Sequence, residues 1–390
     1  MAQPGEVLRF SPLQSVVDVS FLSELSEYKL NVLKLSEEPV EITGYFSPNR
    51  YDSVPARLQL DVSSLRPDAS TRLDCHAAPG RLLLFNTVEG FRGADKAALM
   101  RQAAAEVWRD VVSGAAEAEP WRLTRFLLLV HGDLKHYKFH YWFAFPALKP
   151  PRPFTLSAPP TPLAEALPPA AVELISAACT AWRYPPAGAP ASSPPPAAAD
   201  SSTTPAAAPQ PTAPAPPSSA PPSSRSSSSS RPHAKVLTRS PAPFWLLSSP
   251  QPDFSRDVQS HPLSHWGALR AGGNIAAAAT AREAPSETLS QQQQDQQQEQ
   301  EPQQQQQQQQ QGPGAEGAQQ LPLHVLLVFS DASHQPAHPA WQLRNALLMA
   351  AARWRVGRLR VLCLRESSRG GGRLDPRRSV LMEVDLPAMG

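Results

Sequence analysis

The chain has 390 residues, and its 36 basic and 34 acidic side chains leave a net charge of +2, which excludes steering of the whole surface toward nucleic acid or membrane. Its three cysteines, Cys75, Cys179 and Cys363, lie far apart with no CxxC pair, against a disulfide scaffold or a zinc ribbon. No window holds the roughly 18 apolar residues of a spanning helix, and Met1 to Phe10 has no leader pattern, so a soluble intracellular protein is expected.

Composition divides the chain before any motif does. Most of the 45 prolines fall between residues 150 and 262, a stretch too poor in apolar surface to offset the entropy of ordering. The predicted organisation is an N-terminal α+β core over 1–184, a disordered Pro/Ser/Gln-rich insert over 185–320 with one docked strand near 243–247, and a strand–helix–strand–strand segment over 321–390 that completes the same unit. The fold class is α+β, a mixed β-sheet with packed helices interrupted by the insert.

In chain order, Asp18 caps a short helix with Phe21, Leu22, Leu25 and Tyr28 on one face. Strands are predicted at Val40 to Phe46, Leu58 to Val62 and Arg81 to Val88. Asp95 opens a helix whose buried stripe reads Leu99, Met100, Ala103, Val107, Trp108 and Val111, with Gly114 as its stop. Phe126 to Val130 is a short apolar strand. Tyr137 to Phe145 follows, with aromatic residues at every odd position; a period of two places five rings on one face, and their burial would contribute on the order of 10 kcal/mol. Leu163 to Arg183 has helical spacing interrupted at Pro168 and Pro169. After the insert, Leu323 to Phe329 is a strand, Pro339 to Trp354 a helix, and Arg358 to Leu364 and Val380 to Leu386 are strands, which implies a right-handed crossover.

Several patterns suggest chemistry and do not carry it. Gly312 to Gly317 matches the dinucleotide spacing, but a glutamine run precedes it where a strand is required, so it reads as loop. His334 and His338 beside Asp331 have a helical metal spacing, yet Pro336 lies between them, so they read as solvated loop histidines. His131, Asp133 and His136 flank a turn without a nucleophile and read as a polar turn. The arginines from Arg353 to Arg378 form a local basic excess, read first as a solvated face, then as a contact for an acidic protein segment, then for nucleic acid. No catalytic, cofactor-binding or metal-binding residue is assigned, and no partner-contact residue is fixed; an exposed sheet edge and the outward faces of Trp142 and the Pro339 to Trp354 helix are the candidates.

Two runs, Phe126 to Leu148 and Pro339 to Trp354, resemble the N-terminal domain of the autophagy-related protein 7 family, the E1-like enzymes that activate the ubiquitin-like modifiers of autophagy. Leu8 to Pro12, Pro55 to Leu58, Asn86 to Phe91, Ala94 to Lys96 and Val384 to Pro387 fall in the same family order. The resemblance implies that this chain binds autophagy conjugating enzymes. It also implies that a separate C-terminal domain, expected to be absent here, binds ATP and the ubiquitin-like modifiers and carries the thioester cysteine. None of that chemistry is carried onto Cys75, Cys179 or Cys363. A cytoplasmic protein working at the pre-autophagosomal structure is implied. Two other readings stay open: a truncated gene model of the complete activating enzyme, and an Arg-rich nucleic-acid binder.

Overall fold

The computed structural model describes residues 5–66, 74–185, 240–271, 323–368 and 372–389. Two sheets organise them. The first has the order β1-β3-β2-β4-β5-β6, built from Gln14–Val17 (β1), Val40–Phe46 (β2), Arg57–Leu60 (β3), His76–Phe85 (β4), Phe126–Asp133 (β5) and Lys138–Ala144 (β6). The second has the order β10-β9-β11-β12-β13-β7, with β8 also on β13. Its strands are Thr155–Leu156 (β7), Thr161–Pro162 (β8), Phe244–Ser249 (β9), Gln259–His261 (β10), His324–Ser330 (β11), Arg358–Leu364 (β12) and Val380–Asp385 (β13). Both sheets mix parallel and antiparallel pairs, so the α+β class with mixed sheets holds.

The period-2 pattern of each central strand sorts its side chains between two cores. In β5, Phe126, Leu128 and Val130 join the main core, while Leu127 and Leu129 face the helix Lys96–Ser113 (α3). In β11, Leu327 and Phe329 join the main core, while Leu326 and Val328 face the helix Pro169–Arg183 (α6). The main core also takes in Phe244 and Leu246 of β9 and Val380, Met382 and Val384 of β13. Between β11 and its parallel neighbour β12 runs the helix Gln342–Met349 (α8), seven of whose eight residues are buried.

Helix caps follow the sequence. Asp18 accepts from Ser20 N at the head of Val19–Tyr28 (α1), and Asp95 accepts from Ala98 N at the head of α3, which ends on Gly114 in the left-handed conformation. Pro168 and Pro169 split the predicted helix into Leu163–Ala166 (α5) and α6, with Pro169 in the first turn of α6.

Five expectations change. The strand predicted at Arg81 begins at His76, because β2 pairs with it from Phe46 opposite His76 to Val40 opposite Leu82, through Pro79 and Gly80. A Cβ on Gly80 would meet the Phe126 ring at 2.1 Å, so that ring occupies the space glycine leaves. Val88 belongs not to this strand but to Val88–Gly93 (α2), capped by Thr87. The helix expected from Pro339 starts only at Gln342, because Ser11 and Ala340 form a bridge that keeps the preceding residues extended; it continues as a turn of π-helix, Ala350–Trp354. Trp108 is exposed rather than in the buried stripe of α3. Finally, the one docked strand expected near 243–247 is present as part of a longer ordered stretch, residues 240–271, within the insert expected over 185–320. They form β9, β10 and the short helix Trp266–Arg270 (α7), because Phe244, Trp245, Leu246, Leu247, Phe254 and Leu263 supply fully buried apolar side chains and Trp266 stacks on Trp354 at 4.4 Å.

Candidate partner-docking surfaces

The aromatic strand forms the outer edge of the first sheet. Its expected five-ring face is only partly buried. Phe139, Phe143 and Phe145 pack against the main core, with Phe143 stacked on Phe126 at 5.0 Å and Phe145 beside Trp341 at 5.1 Å. Tyr137 stands in the turn with φ +51°, and Tyr141 lies out along the edge; each is about half exposed. An edge strand has a neighbour on one side only, so the face outruns its cover and the burial term of five rings is not realised. Trp142 points the other way, toward the cluster of Leu99, Met100, Ala103 and Leu129 under α3, and is partly buried there.

Most of the helix expected to present a surface, Pro339 to Trp354, is an interior strut, and only its last turn reaches the surface. Asn345 is fully buried: its Oδ1 accepts from Leu148 N at 2.9 Å, and its Nδ2 donates to the carbonyls of Leu123 and Pro146 at 2.9 and 3.0 Å. One amide thus ties the entrance of β5 and the exit of β6 to the helix of the second sheet, which fully satisfied buried groups require.

Where this helix ends, a groove of about 740 Å³ opens, lined among others by Trp108, Val112, Ala351, Ala352, Val356 and Met389. Trp108 and Val112 are four apart on α3, 37% and 54% exposed, and form a second apolar stripe beside the buried one of Val107 and Val111. The rim is basic. Arg353 pairs with Glu117, and Arg355, held in the left-handed conformation at φ +51°, has no ion pair among the described residues. Sequence reading missed this stripe because it assigned Trp108 to the core; Val112 beside Ser113 and Gly114 was the available signal.

The residues with catalytic-looking spacing have structural partners. His136 Nδ1 meets Asp133 Oδ2 at 2.7 Å across the β5–β6 turn, which lowers the Asp133 pKa, and the His131 ring meets the Phe85 carbonyl. Asp331 is buried; its Oδ1 accepts from the Ser333 and Ala340 amides, and its Oδ2 from Arg365 Nη2 at 2.9 Å. His338 faces Gln335 rather than Asp331. The Asp331 carboxylate is therefore committed to helix entry and to Arg365, and His334 and His338 do not join it. The three cysteines are buried thiols; burial pushes Cys179 up to about 12 and Cys363 well above its ordinary value, against nucleophilic use. Gly312 to Gly317 lies outside the described residues.

Much of the predicted basic tail is spent internally. Arg365 serves Asp331, Arg378 serves Asp52, Arg353 serves Glu117, Arg358 serves Asp385, and Arg360 donates to the Pro252 carbonyl. Several of the predicted arginines are thus tied to other segments, while Arg353, Arg355 and Arg358 remain exposed, so the solvated face expected from sequence persists in part.

The family model described as the N-terminus of ubiquitin-like modifier-activating enzyme ATG7 matches residues 8–191 and 273–389. Among curated relatives, the mouse ubiquitin-like modifier-activating enzyme ATG7 is 41% identical over 176 residues, covering 45% of this chain and 25% of the relative. The human one is 43% identical over 156 residues, covering 40% and 22%. The matched stretch therefore spans about a quarter of those relatives. Among solved structures, the Kluyveromyces marxianus Atg7NTD in its Atg10 complex aligns with a TM-score of 0.50 at 15% identity, over 98% of this chain and 88% of that one, a likeness of fold. With the mixed two-sheet architecture and the family match agreeing along both halves of the sequence, the chain belongs to the family of the ubiquitin-like modifier-activating enzyme ATG7 N-terminus.

Proposed function

We propose that this chain recruits a conjugating enzyme of the autophagy modifier pathway in the cytoplasm and supplies docking rather than chemistry. The observation that carries the reading is the groove beside α3. It has an apolar floor and basic rim, and it exposes Trp108 and Val112 at helical spacing. The occupant this chemistry fits is a flexible segment of the conjugating enzyme with one or two large apolar side chains followed by carboxylates, which orders on binding. The fold likeness to the solved Kluyveromyces marxianus Atg7NTD–Atg10 complex supports a conjugating enzyme as the partner. Adenylation of the modifier with ATP and transfer through a thioester belong, in this proposal, to a separate domain of the activating enzyme.

The test is calorimetry of the purified chain with an Atg10-type conjugating enzyme, run beside Trp108→Ala and Val112→Asp. Truncating a central aromatic anchor typically costs about 2 kcal/mol or more, so the expected loss is at least about 30-fold. A folded chain that binds no such enzyme overturns the proposal; binding unchanged in both variants moves it away from this groove.

A further inference from the structure

β2 and β3 are paired at a single register position, Tyr45 opposite Gln59, and diverge beyond it. The gap is a cleft of about 390 Å³ whose lining includes Asn49, Arg50, Tyr51, Arg57, Asp74 and Cys75. Behind Arg50 lies a charge arrangement that the fold leaves unbalanced. Glu366 is fully buried, and its two oxygens serve two arginines: Oε2 accepts from Arg50 Nε at 2.6 Å, and Oε1 accepts from Arg183 Nη1. Two guanidinium groups on one carboxylate leave one positive charge over. Of the neighbouring carboxylates, Asp331 is taken by Arg365 at 2.9 Å and Asp52 by Arg378 at 2.8 Å, while Asp74 acts on Arg183 through its charge.

Arg183 is 1% exposed, and its Nε and Nη2 have no hydrogen-bond partner among the described residues. A buried cation with unused donors is costly unless a counter-charge compensates it. On the cleft side, the Arg50 side chain is 30% exposed and spends only its Nε on Glu366. Arg57 stands exposed on β3 without an ion pair among the described residues. Against these two cations the described lining holds one acidic group, Asp74.

We infer that this cleft is a binding site for an oxyanion, a phosphate or a carboxylate group. Arg50 and Arg57 hold it, with Tyr51 also in the lining, and it balances the positive charge that Arg50, Arg57 and Arg183 carry in excess of Glu366 and Asp74. The planar fork of arginine matches either kind of group. The site is built from elements other than α3, so it stands apart from the docking groove and does not rest on its role.

The experiment is calorimetry of the full chain with inorganic phosphate and with succinate, at ionic strength matched by sodium chloride, alongside thermal unfolding. Saturable one-site binding below about 10 mM is expected, with a matching rise in melting temperature. Arg57→Gln, at an exposed position, weakens it about tenfold, as loss of one charged hydrogen-bond donor does. Arg50→Gln abolishes it, and Arg109→Gln on α3 leaves it unchanged. Tighter phosphate binding assigns a phosphate-bearing ligand, and tighter succinate binding a carboxylate-bearing one. No saturation with either anion, or equal weakening by Arg57→Gln and Arg109→Gln, overturns the inference.

Discussion

The two sheets are made of the same kind of strand and put together in opposite ways. The first draws all six strands from one run of chain, Gln14 to Ala144, while the second gathers its strands from three separated runs: Thr155 to Pro162, Phe244 to His261 and His324 to Asp385. In the second sheet, β9 is an interior strand, flanked by β10 on one side and β11 on the other, with all six of its residues buried. The contrast teaches where stability has to be concentrated. A strand whose chain neighbours are far away in sequence carries the closure cost of long loops, and Phe244 to Ser249 meets it with apolar side chains on both faces: Phe244 and Leu246 to the main core, Trp245 and Leu247 to the core under α6.

The sharpest way to break the contrast is to hollow out that strand. Trp245→Ala removes a fully buried ring that lies 6.1 Å from Trp182 of α6. The expected loss is about 3–5 kcal/mol in urea unfolding. A comparable truncation at the partly buried Phe143 of the edge strand β6 costs less, since part of that ring's burial is not lost. Equal losses at the two positions would show that the second sheet does not lean on β9.

A smaller but more specific effect is expected where the sheets are joined. Asn345→Ala leaves the Leu148 amide and the Leu123 and Pro146 carbonyls buried without their partner, at a cost of about 3 kcal/mol. Asn345→Leu does not rescue it, because the abandoned groups are backbone and remain buried. Rescue by leucine would mean that volume, not hydrogen bonding, couples the sheets.

Protonation separates the regions next. His76 opens β4 of the first sheet and is fully buried; its Nδ1–H donates to the Pro241 carbonyl at 2.7 Å, and burial, aided by the charge of Arg183, pushes its pKa down to about 3. His261, in β10 of the second sheet, shares a hydrogen bond with Ser248 Oγ and is pushed down to about 4, again chiefly by burial. Both folded values lie below the unfolded value of 6.5. Between each folded value and 6.5 the unfolded chain holds more protons, so stability is complete above about 6.5 and falls as the pH falls, by up to about 1.4 kcal/mol per pH unit for each histidine. His261→Gln flattens the contribution of the second sheet and keeps that of His76. An unchanged slope between about pH 4.5 and 6 would refute the assignment.

How much of this was legible depends on which physical signal each element gives. The caps at Asp18 and Asp95, the stop at Gly114 and the break at Pro168 and Pro169 are local chemistry, and they appear where sequence places them. The alternating strand at Val40 to Phe46 matches its predicted bounds. The start of β4 was hidden because Pro79 and Gly80 look like punctuation, and only the Phe126 ring packed against Gly80 explains their place in a strand. In 240–271 the strand at Phe244 to Leu247 was legible as an apolar run, but the order around Phe254 and Leu263 was hidden because composition averages over a window, while a few large side chains decide packing. The helix Gln342–Met349 was found, but its setting was not. Periodicity cannot distinguish an outward polar face from an inward one, and Gln342 and Asn345 are buried. For the same reason the groove was invisible: nothing in the spacing of Val107, Trp108, Val111 and Val112 says which pair meets a neighbour and which faces solvent.

The smallest effect on stability is expected where the effect on binding is largest. Trp108 is 37% exposed and lies outside the stripe that seats α3. Trp108→Ser should therefore cost about 1 kcal/mol, less than truncation of a fully buried ring. Val107→Ala, one residue earlier and fully buried, should cost about 1–3 kcal/mol. A functional surface and a structural one then sit on adjacent residues of one helix and can be told apart by two measurements. Denaturation separates Val107 from Trp108, and affinity for the conjugating enzyme reverses their order. If Trp108→Ser destabilised the chain as much as Val107→Ala, the tryptophan would be part of the core after all, and the groove would lose the anchor on which its docking role is argued.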